Sequence, residues 1–335
     1  MRALVTGANG FIGSHLCESL LAQGHMVRGL VRRTSDIRWI KGLTESGEAR
    51  SQRPEAKGQS LELVYGDVRD GESLRQAAAG VDCVFHLGAA VRARDRRDFE
   101  QVNCAGTRLV AEACIAAGVK RFVFFSSAAA AGPAESPERP RHEDDEPAPI
   151  SAYGRGKLGA ELVLQELRDR LHSVILRLLV VYGPRDRDMA IMLRWVKRGL
   201  MPVFGGVYSA VYVSDAVQSA VLAAERPVAS GSVYFISDGH IYDYADMARV
   251  AEKALGRKVL RLKIPIWLLH AAGWLSESLT REGSIFNRDK AREFAQPCWL
   301  CNIGRARAEL GYEPRYDLDR GMTETIRWYE QMGWI

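Results

Sequence analysis

Through the first half of the chain, short unbroken apolar runs alternate with segments whose apolar positions recur every three or four residues: ALVTG, GSHLCESLLAQG, MVRGLVR, LELVYGD, ESLRQAAAG, DCVFHLGA, GTRLVAEACIAAG and RFVFFSS. The continuous runs read as strands buried on both faces, and the periodic segments as amphipathic helices. Strand and helix in strict alternation predict a parallel sheet with helices on both faces and right-handed crossovers. The expected fold class is therefore α/β, a doubly wound parallel sheet, with a smaller mixed portion following it.

Two stretches interrupt the rhythm. Residues 41–60, including GLTESGEARSQRPEAKGQS, are polar and carry no apolar period, which predicts a mobile surface excursion. Residues 132–150 carry five prolines and a run of acids, which forbids a regular helix or a central strand. A loop of that length inside a compact domain suits the wall of a site. After Val181 the alternation gives way to short mixed elements and a terminal helix containing TETIRWYEQMGW. The reading is a nucleotide-type domain over residues 1–181 and a mainly substrate-binding portion over 182–335, with some segments of the latter returning to the first.

Composition sets the class. The 335 residues hold 47% hydrophobic and 26% charged residues and a net charge of +5, as an ordinary globular protein does. No basic excess points to nucleic acid. The greasiest runs are broken by Arg177, Pro265 and His270, short of the roughly 18 apolar residues that a membrane span needs. With no secretory h-region after MRALVTGANG, the expected location is cytoplasmic. Cys17, Cys83, Cys104, Cys114, Cys298 and Cys301 are scattered; the CWLC pair lacks a second pair or a nearby His, so no metal site is expected. The stripe IPIWLLHAAGWLSESL, at helical spacing, suits the wall of an apolar ligand site, although such a stripe is more often core than ligand wall or membrane-surface helix.

The candidate chemistry begins at TGANGFIG. Gly7, Gly10 and Gly13 follow a strand and open a helix, so the backbone can turn tightly and bring a pyrophosphate to the helix N-terminus. Asn9, Phe11 and Ile12 complete that loop. At the end of the second strand an acid would bind the ribose of NAD, whereas arginine pairs with the 2′-phosphate of NADP. Arg32 and Arg33 stand there, favouring NADP(H) over NAD(H), and Asp36 follows a little farther along. Tyr153 and Lys157 in YGRGK lie one helical turn apart, with the helix begun at Ser151. A phenol has a pKa of about 10 in water, and an ammonium one turn away, with a positive nicotinamide nearby, is expected to lower it, making a proton-transfer pair. Ser127, with Ser126 as the alternative, supplies a hydroxyl at the strand end where open α/β sheets bind ligands.

TGANGFIG, HLGAA, the serine pair, YGRGK and LVVYGP together resemble the extended short-chain dehydrogenase/reductase superfamily, its NAD-dependent epimerase/dehydratase group, over essentially the whole chain. The resemblance implies a Rossmann fold, with Ser127, Tyr153 and Lys157 as the catalytic trio and Lys157 also holding the nicotinamide ribose. It implies that Asn103 packs beside this group, that Asp67 and Val68 flank the adenine, that Leu87, Gly88 and Ala89 line the dinucleotide, and that Tyr182 and Pro184 sit near the nicotinamide. It also implies a homodimer. Two departures bear on the small-molecule substrate. Val180 replaces the asparagine usual in nucleotide-sugar enzymes, and Tyr208 and Ser209 stand near their arginine, though Arg185, Arg187 or Arg194 remain to hold a diphosphate. The greasy segment and VYFISDG are similar to the 3β-hydroxysteroid dehydrogenase and dihydroflavonol reductase branch. The expected activity is hydride exchange with a lipophilic secondary alcohol or ketone. A nucleotide-sugar epimerase or dehydratase is the alternative, and a non-catalytic NADP(H) sensor a minor one.

Overall fold

The computed structural model describes residues 1–44, 60–90, 96–279 and 287–335. In chain order the first half runs β1 (Arg2–Thr6), α1 (Phe11–Ala22), β2 (Met26–Val31), β3 (Leu61–Tyr65), α2 (Gly71–Ala78), β4 (Cys83–His86), α3 (Arg96–Phe99), α4 (Gly106–Ala116), β5 (Arg121–Ser127), α5 (Ala128–Ala131), α6 (Ala152–Glu166) and β6 (Ser173–Leu178). A π-helical turn, Glu100–Ala105, joins α3 to α4. The second half runs β7 (Val180–Tyr182), α7 (Arg187–Lys197), β8 (Leu200–Val203), β9 (Val207–Tyr208), β10 (Ala210–Tyr212), α8 (Val213–Glu225), β11 (Ser232–Ile236), β12 (Tyr242–Asp243), α9 (Tyr244–Leu255), β13 (Leu260–Lys263), α10 (Ile266–Leu279), α11 (Arg288–Phe294), β14 (Cys298–Trp299) and α12 (Leu318–Gln331).

Seven parallel strands form the main sheet in the order β3-β2-β1-β4-β5-β6-β11. Every residue of β4 and of β6 is buried, as strands covered on both faces must be. One apolar layer packs α1 and α8 against the sheet through Leu16, Leu20, Ala216 and Ala220. The opposite layer packs α2, α4 and α6 through Leu74, Val110, Ala160 and Leu164. The strand order reverses between β1 and β4, and the loops after those two strands part there, opening the crevice at which such sheets bind ligands.

A separate core surrounds Tyr182, Leu193, Met247 and Ile326, holding α7, α9 and α12 together around three small sheets. Some late segments return to the first layer: β11 pairs with β6, and α8 packs on α1.

Three expectations meet detail here. Within 41–60, Lys41–Leu43 form a 3-10 turn, Ser60 leads into β3, and the remainder lies outside the described residues. The 132–150 stretch contains no helix but is pinned. Ala134 and Arg141 donate backbone bonds to Cys298 and Leu300 (both 3.0 Å), and Ala148 donates to Ala131 (2.8 Å). CWLC is therefore a short edge segment that fastens this loop. Of the readings open for the apolar stripe, core does not hold: in α10 Leu269 and Gly273 are buried, while Ile266, Trp267, Leu268 and Leu275 are exposed.

Candidate active site

The glycine loop between β1 and α1 has the geometry of an anion cradle. Gly7 takes φ +70°, and a side-chain carbon there would lie 3.1 Å from the Gly88 nitrogen; one on Gly13 would lie 2.2 Å from the Gly7 oxygen. Neither position accepts another residue without moving the backbone. Gly10 is the N-cap of α1, brings no capping side chain, and is followed by a first turn without acids, so the helix offers unfilled amides to a negative group. Asn9 reaches the Asp36 carbonyl (3.3 Å), Phe11 sets its ring edge-on to His15, and Ile12 packs on the core. The residues present thus fit a dinucleotide pyrophosphate.

Around the mouth of that crevice Leu87, Gly88 and Ala89 follow β4. A chain of hydrogen bonds that the sequence did not announce fixes them. Thr6 Oγ1 accepts from the amides of Leu87 (3.1 Å) and Gly88 (2.9 Å) and meets His86 Nδ1 at 2.7 Å. His86 is buried and held near a pKa of about 3 by desolvation and then by the charge of Lys157, so its ring is neutral. Thr107 Oγ1 donates to the Asn103 carbonyl (2.5 Å), so His86 Nε2 donates to Thr107 (3.0 Å) and Nδ1 accepts from Thr6. Asn103 itself clamps Ala90, accepting from its amide at 2.7 Å and donating to its carbonyl at 3.1 Å. The π-helical turn is what aims Asn103 at this strand end. Val68 packs beside Gly88, and Asp67 makes a two-point ion pair with Arg69 that pulls its carboxyl down to about 2.

At the end of β2, Arg32 and Arg33 are exposed; Arg33 lies over the Tyr65 ring (5.1 Å), and the charge of Arg32 is felt at Asp67. Asp36 is engaged by Arg38 (2.6 Å) and Arg187 (3.5 Å).

Ser151 caps α6, accepting from the Gly154 amide at 3.0 Å, which places Tyr153 in the first turn and Lys157 one turn on. Ser127 ends β5, caps α5 through the Ala129 amide, and hydrogen-bonds the Tyr153 phenol. The alternative serine has another partner: Ser126 is buried and donates to Glu161 (2.5 Å). Lys157 is buried, donates to the Phe125 carbonyl (2.6 Å), and is lowered to about 8 by desolvation, opposed by the Glu161 charge. The expected lowering of the tyrosine does not occur in the chain alone. Burial first and the Glu293 charge second push Tyr153 up to about 12, and only the Ser127 bond pulls it down. The ammonium is spent on a carbonyl instead.

Beneath this trio Glu161 and Arg177 form a buried pair, with Arg177 donating to both carboxylate oxygens (2.7 to 3.3 Å) and lying over Phe235. The signal was present in the sequence. Arg177 interrupts an apolar strand and so requires a partner, and Glu161 follows Lys157 by four residues. Two more residues come from the distant C-terminal portion with no local signal: on α11, Asp289 accepts from the Ala152 amide (2.6 Å) at the start of α6, and Glu293 faces Tyr153 electrostatically.

Tyr182 does not present its side chain to the crevice. Its ring is buried in the second core and its hydroxyl donates to the Asp317 carbonyl. The Pro184 carbonyl is paired with His15 (2.9 Å).

A model of the NAD dependent epimerase/dehydratase family matches residues 3–237. Sterol demethylase protein B of Methylococcus capsulatus is 30% identical over 350 residues, covering 100% of both chains. Ceramide reductase of Caulobacter vibrioides is 28% identical, covering 99% of this chain and 95% of the relative. The solved structure of MoeE5 in complex with UDP-glucuronic acid and NAD superimposes with a TM-score of 0.77 at 25% identity, covering 99% of this chain and 100% of that one.

Proposed function

From the premise that the chain belongs to the NAD-dependent epimerase/dehydratase family and is an enzyme using a nicotinamide cofactor, we propose that it interconverts a lipophilic secondary alcohol and its ketone. The observation that carries the substrate class is the fate of three arginines. Arg185 is turned to Ser14 and Glu18, Arg187 to Asp36, and Arg194 to the Trp334 carbonyl. Each of the cations left to hold a sugar diphosphate after the loss of the asparagine at Val180 is already engaged. The names of two relatives, a ceramide reductase and a sterol demethylase component, point the same way. MoeE5, with UDP-glucuronic acid bound, keeps the nucleotide-sugar reading as the competitor.

When bound, the nicotinamide supplies or receives the hydride. Gly7, Gly10 and Gly13 would seat its pyrophosphate, with Asn9, Phe11, Ile12, Asp67, Val68, Leu87, Gly88 and Ala89 around it, Asn103 holding the strand end, and Lys157 reaching its ribose. Tyr182 enters this list only through its backbone. Ser127 and Tyr153 hold the reacting oxygen between two hydroxyls, and Tyr153 gives it a proton in reduction or takes one in oxidation. A phenol pushed up to about 12 still gives its proton readily to a nascent alkoxide, so the resting state is prepared for reduction. NADP(H) is favoured because Arg32 and Arg33 are exposed at the end of β2, where they can meet a 2′-phosphate, while Asp36 is tied by two arginines. We place a homodimer on α6, whose outer face carries Leu162 at 60% exposure, and the enzyme in the cytoplasm.

The test is nicotinamide absorbance with purified protein, either oxidised cofactor, and a panel of hydroxysteroids, long-chain alcohols and nucleotide-sugars. Net reduction with a lipophilic alcohol supports the proposal. Conversion of a nucleotide-sugar to its epimer without net reduction overturns it.

A further inference from the structure

Among the described residues the helix α10 is apolar over most of its surface but buried along one stripe. Its buried stripe is narrow: Leu269 and Gly273 sit one turn apart, and the missing side chain of Gly273 admits the Asn287 carbonyl and Ala291 of the α11 segment. At about 100° per residue, Trp267 and Ala271 point away from that stripe, flanked by Leu268 and Leu275. Trp267 is 68% exposed, Ile266 53% and Leu268 41%. The strand leading into the helix continues the surface, since β13 pairs, among the described residues, with β8 alone and leaves Leu260 62% exposed and Leu262 39%. A helix greasy all round is normally buried all round, and a contiguous exposed apolar patch marks something that covers it.

The charge pattern says what. From Lys253 to Ser276 the chain holds Lys253, Arg257, Lys258, Arg261 and Lys263 and not one carboxylate. Arg261 leans on Glu252 and Lys253 on Asp319, while Lys258 and Lys263 reach solvent beside the apolar residues. Tryptophan and leucine ringed by lysine and arginine are the composition of an element lying in the head-group plane of a bilayer, where each cation near an anionic surface adds attraction. A second copy fits poorly, because a two-fold contact through this face would set the same unbalanced cations against each other.

We propose that β13 and the start of α10 dock the enzyme peripherally on an anionic phospholipid surface, with Leu260, Leu262, Ile266, Trp267 and Leu268 in the acyl boundary and Lys258 and Lys263 among the phosphates. This goes beyond the substrate reading and does not rest on it, although the two agree: α10 packs on α11, and α11 holds the first turn of the helix bearing Tyr153. The docked face is one helix removed from the reacting oxygen.

Flotation of the full chain with vesicles tests it, without substrate. Vesicles of phosphatidylcholine mixed equally with phosphatidylglycerol carry the wild type upward, pure phosphatidylcholine carries far less, and strong salt weakens binding to the mixed vesicles. Trp267→Ser with Leu268→Ser, both at exposed sites, reduces the bound fraction at least tenfold with an unchanged melting temperature; Lys258→Glu with Lys263→Glu does the same through charge. Wild type that stays below the vesicles at every composition overturns the proposal. So does a wild-type dimer that Trp267→Ser converts to monomer, since the face would then belong to a second copy.

Discussion

The clearest energetic consequence of the site is that Lys157 weakens the fold that holds it. The residue is 3% exposed, its ammonium is bonded to the Phe125 carbonyl and set 4.7 Å over the Phe124 ring, and it is lowered from 10.5 to about 8 with desolvation as the main cause. At about 1.4 kcal/mol per tenfold change, keeping the charge inside costs the apo protein about 3 kcal/mol. The sign follows from proton counting. Below pH 8 both folded and unfolded chains hold the proton and the penalty is complete; between about 8 and 10.5 the unfolded chain binds more protons, so stability rises with pH; above 10.5 the penalty is gone. Lys157→Met keeps the volume and removes the charge. It leaves the Phe125 carbonyl without its donor, a loss of about 1–3 kcal/mol that does not depend on pH. Urea unfolding of both proteins at steps from neutral pH to about 10.5 should therefore show the wild type gaining on the variant by about 3 kcal/mol across that window, while at neutral pH the inactive variant is at least nearly as stable. A difference that stays flat with pH would refute the reasoning, and with it the claim that burial rather than a counter-ion dominates at Lys157.

Tyr153→Phe should lower kcat/KM by at least about a hundredfold and leave cofactor affinity, read by fluorescence titration, unchanged; residual turnover near wild type would remove the phenol from the mechanism. Because Tyr153 stands at about 12 in the free enzyme, kcat/KM for alcohol oxidation should climb about tenfold per pH unit from neutral pH upward, whereas ketone reduction stays nearly level; an early plateau in oxidation would show the phenol is already ionised. Glu161→Gln leaves Arg177 buried and charged without its partner, which costs about 3–5 kcal/mol, while Ser126→Ala costs about 1 kcal/mol; equal effects in thermal melts would mean the pair is not a pair. Gly13→Ala places a carbon 2.2 Å from the Gly7 oxygen, so cofactor binding should be lost while the far-ultraviolet circular dichroism is kept, and a wild-type affinity would show that the loop relaxes.

Most of the doubly wound sheet was legible because its strands are apolar on both faces and its helices obey one period, so each local pattern agreed with the global arrangement. The glycine loop and the pair Tyr153 and Lys157 were legible for a different reason: each is a local motif, complete within a few residues. What stayed hidden was contributed from afar. Asp289 and Glu293 reach α6 from more than a hundred residues away on a short helix without any motif of its own, and the Thr6, His86 and Thr107 chain joins three elements that only folding brings together. The raised phenol of Tyr153 in the chain alone has the same origin. Sequence gives the ammonium one turn away, but the carbonyl of Phe125 and the degree of burial belong to the packed state, and these two decide where the charge goes. The ambiguity at α10 runs the opposite way: periodicity identified the helix, yet an apolar period reports only that a face avoids water, and a bilayer surface or a ligand satisfies that condition as well as a protein core does. The cations of β13 separate core from bilayer, because a core helix needs no lysine fringe and a bilayer-bound one does.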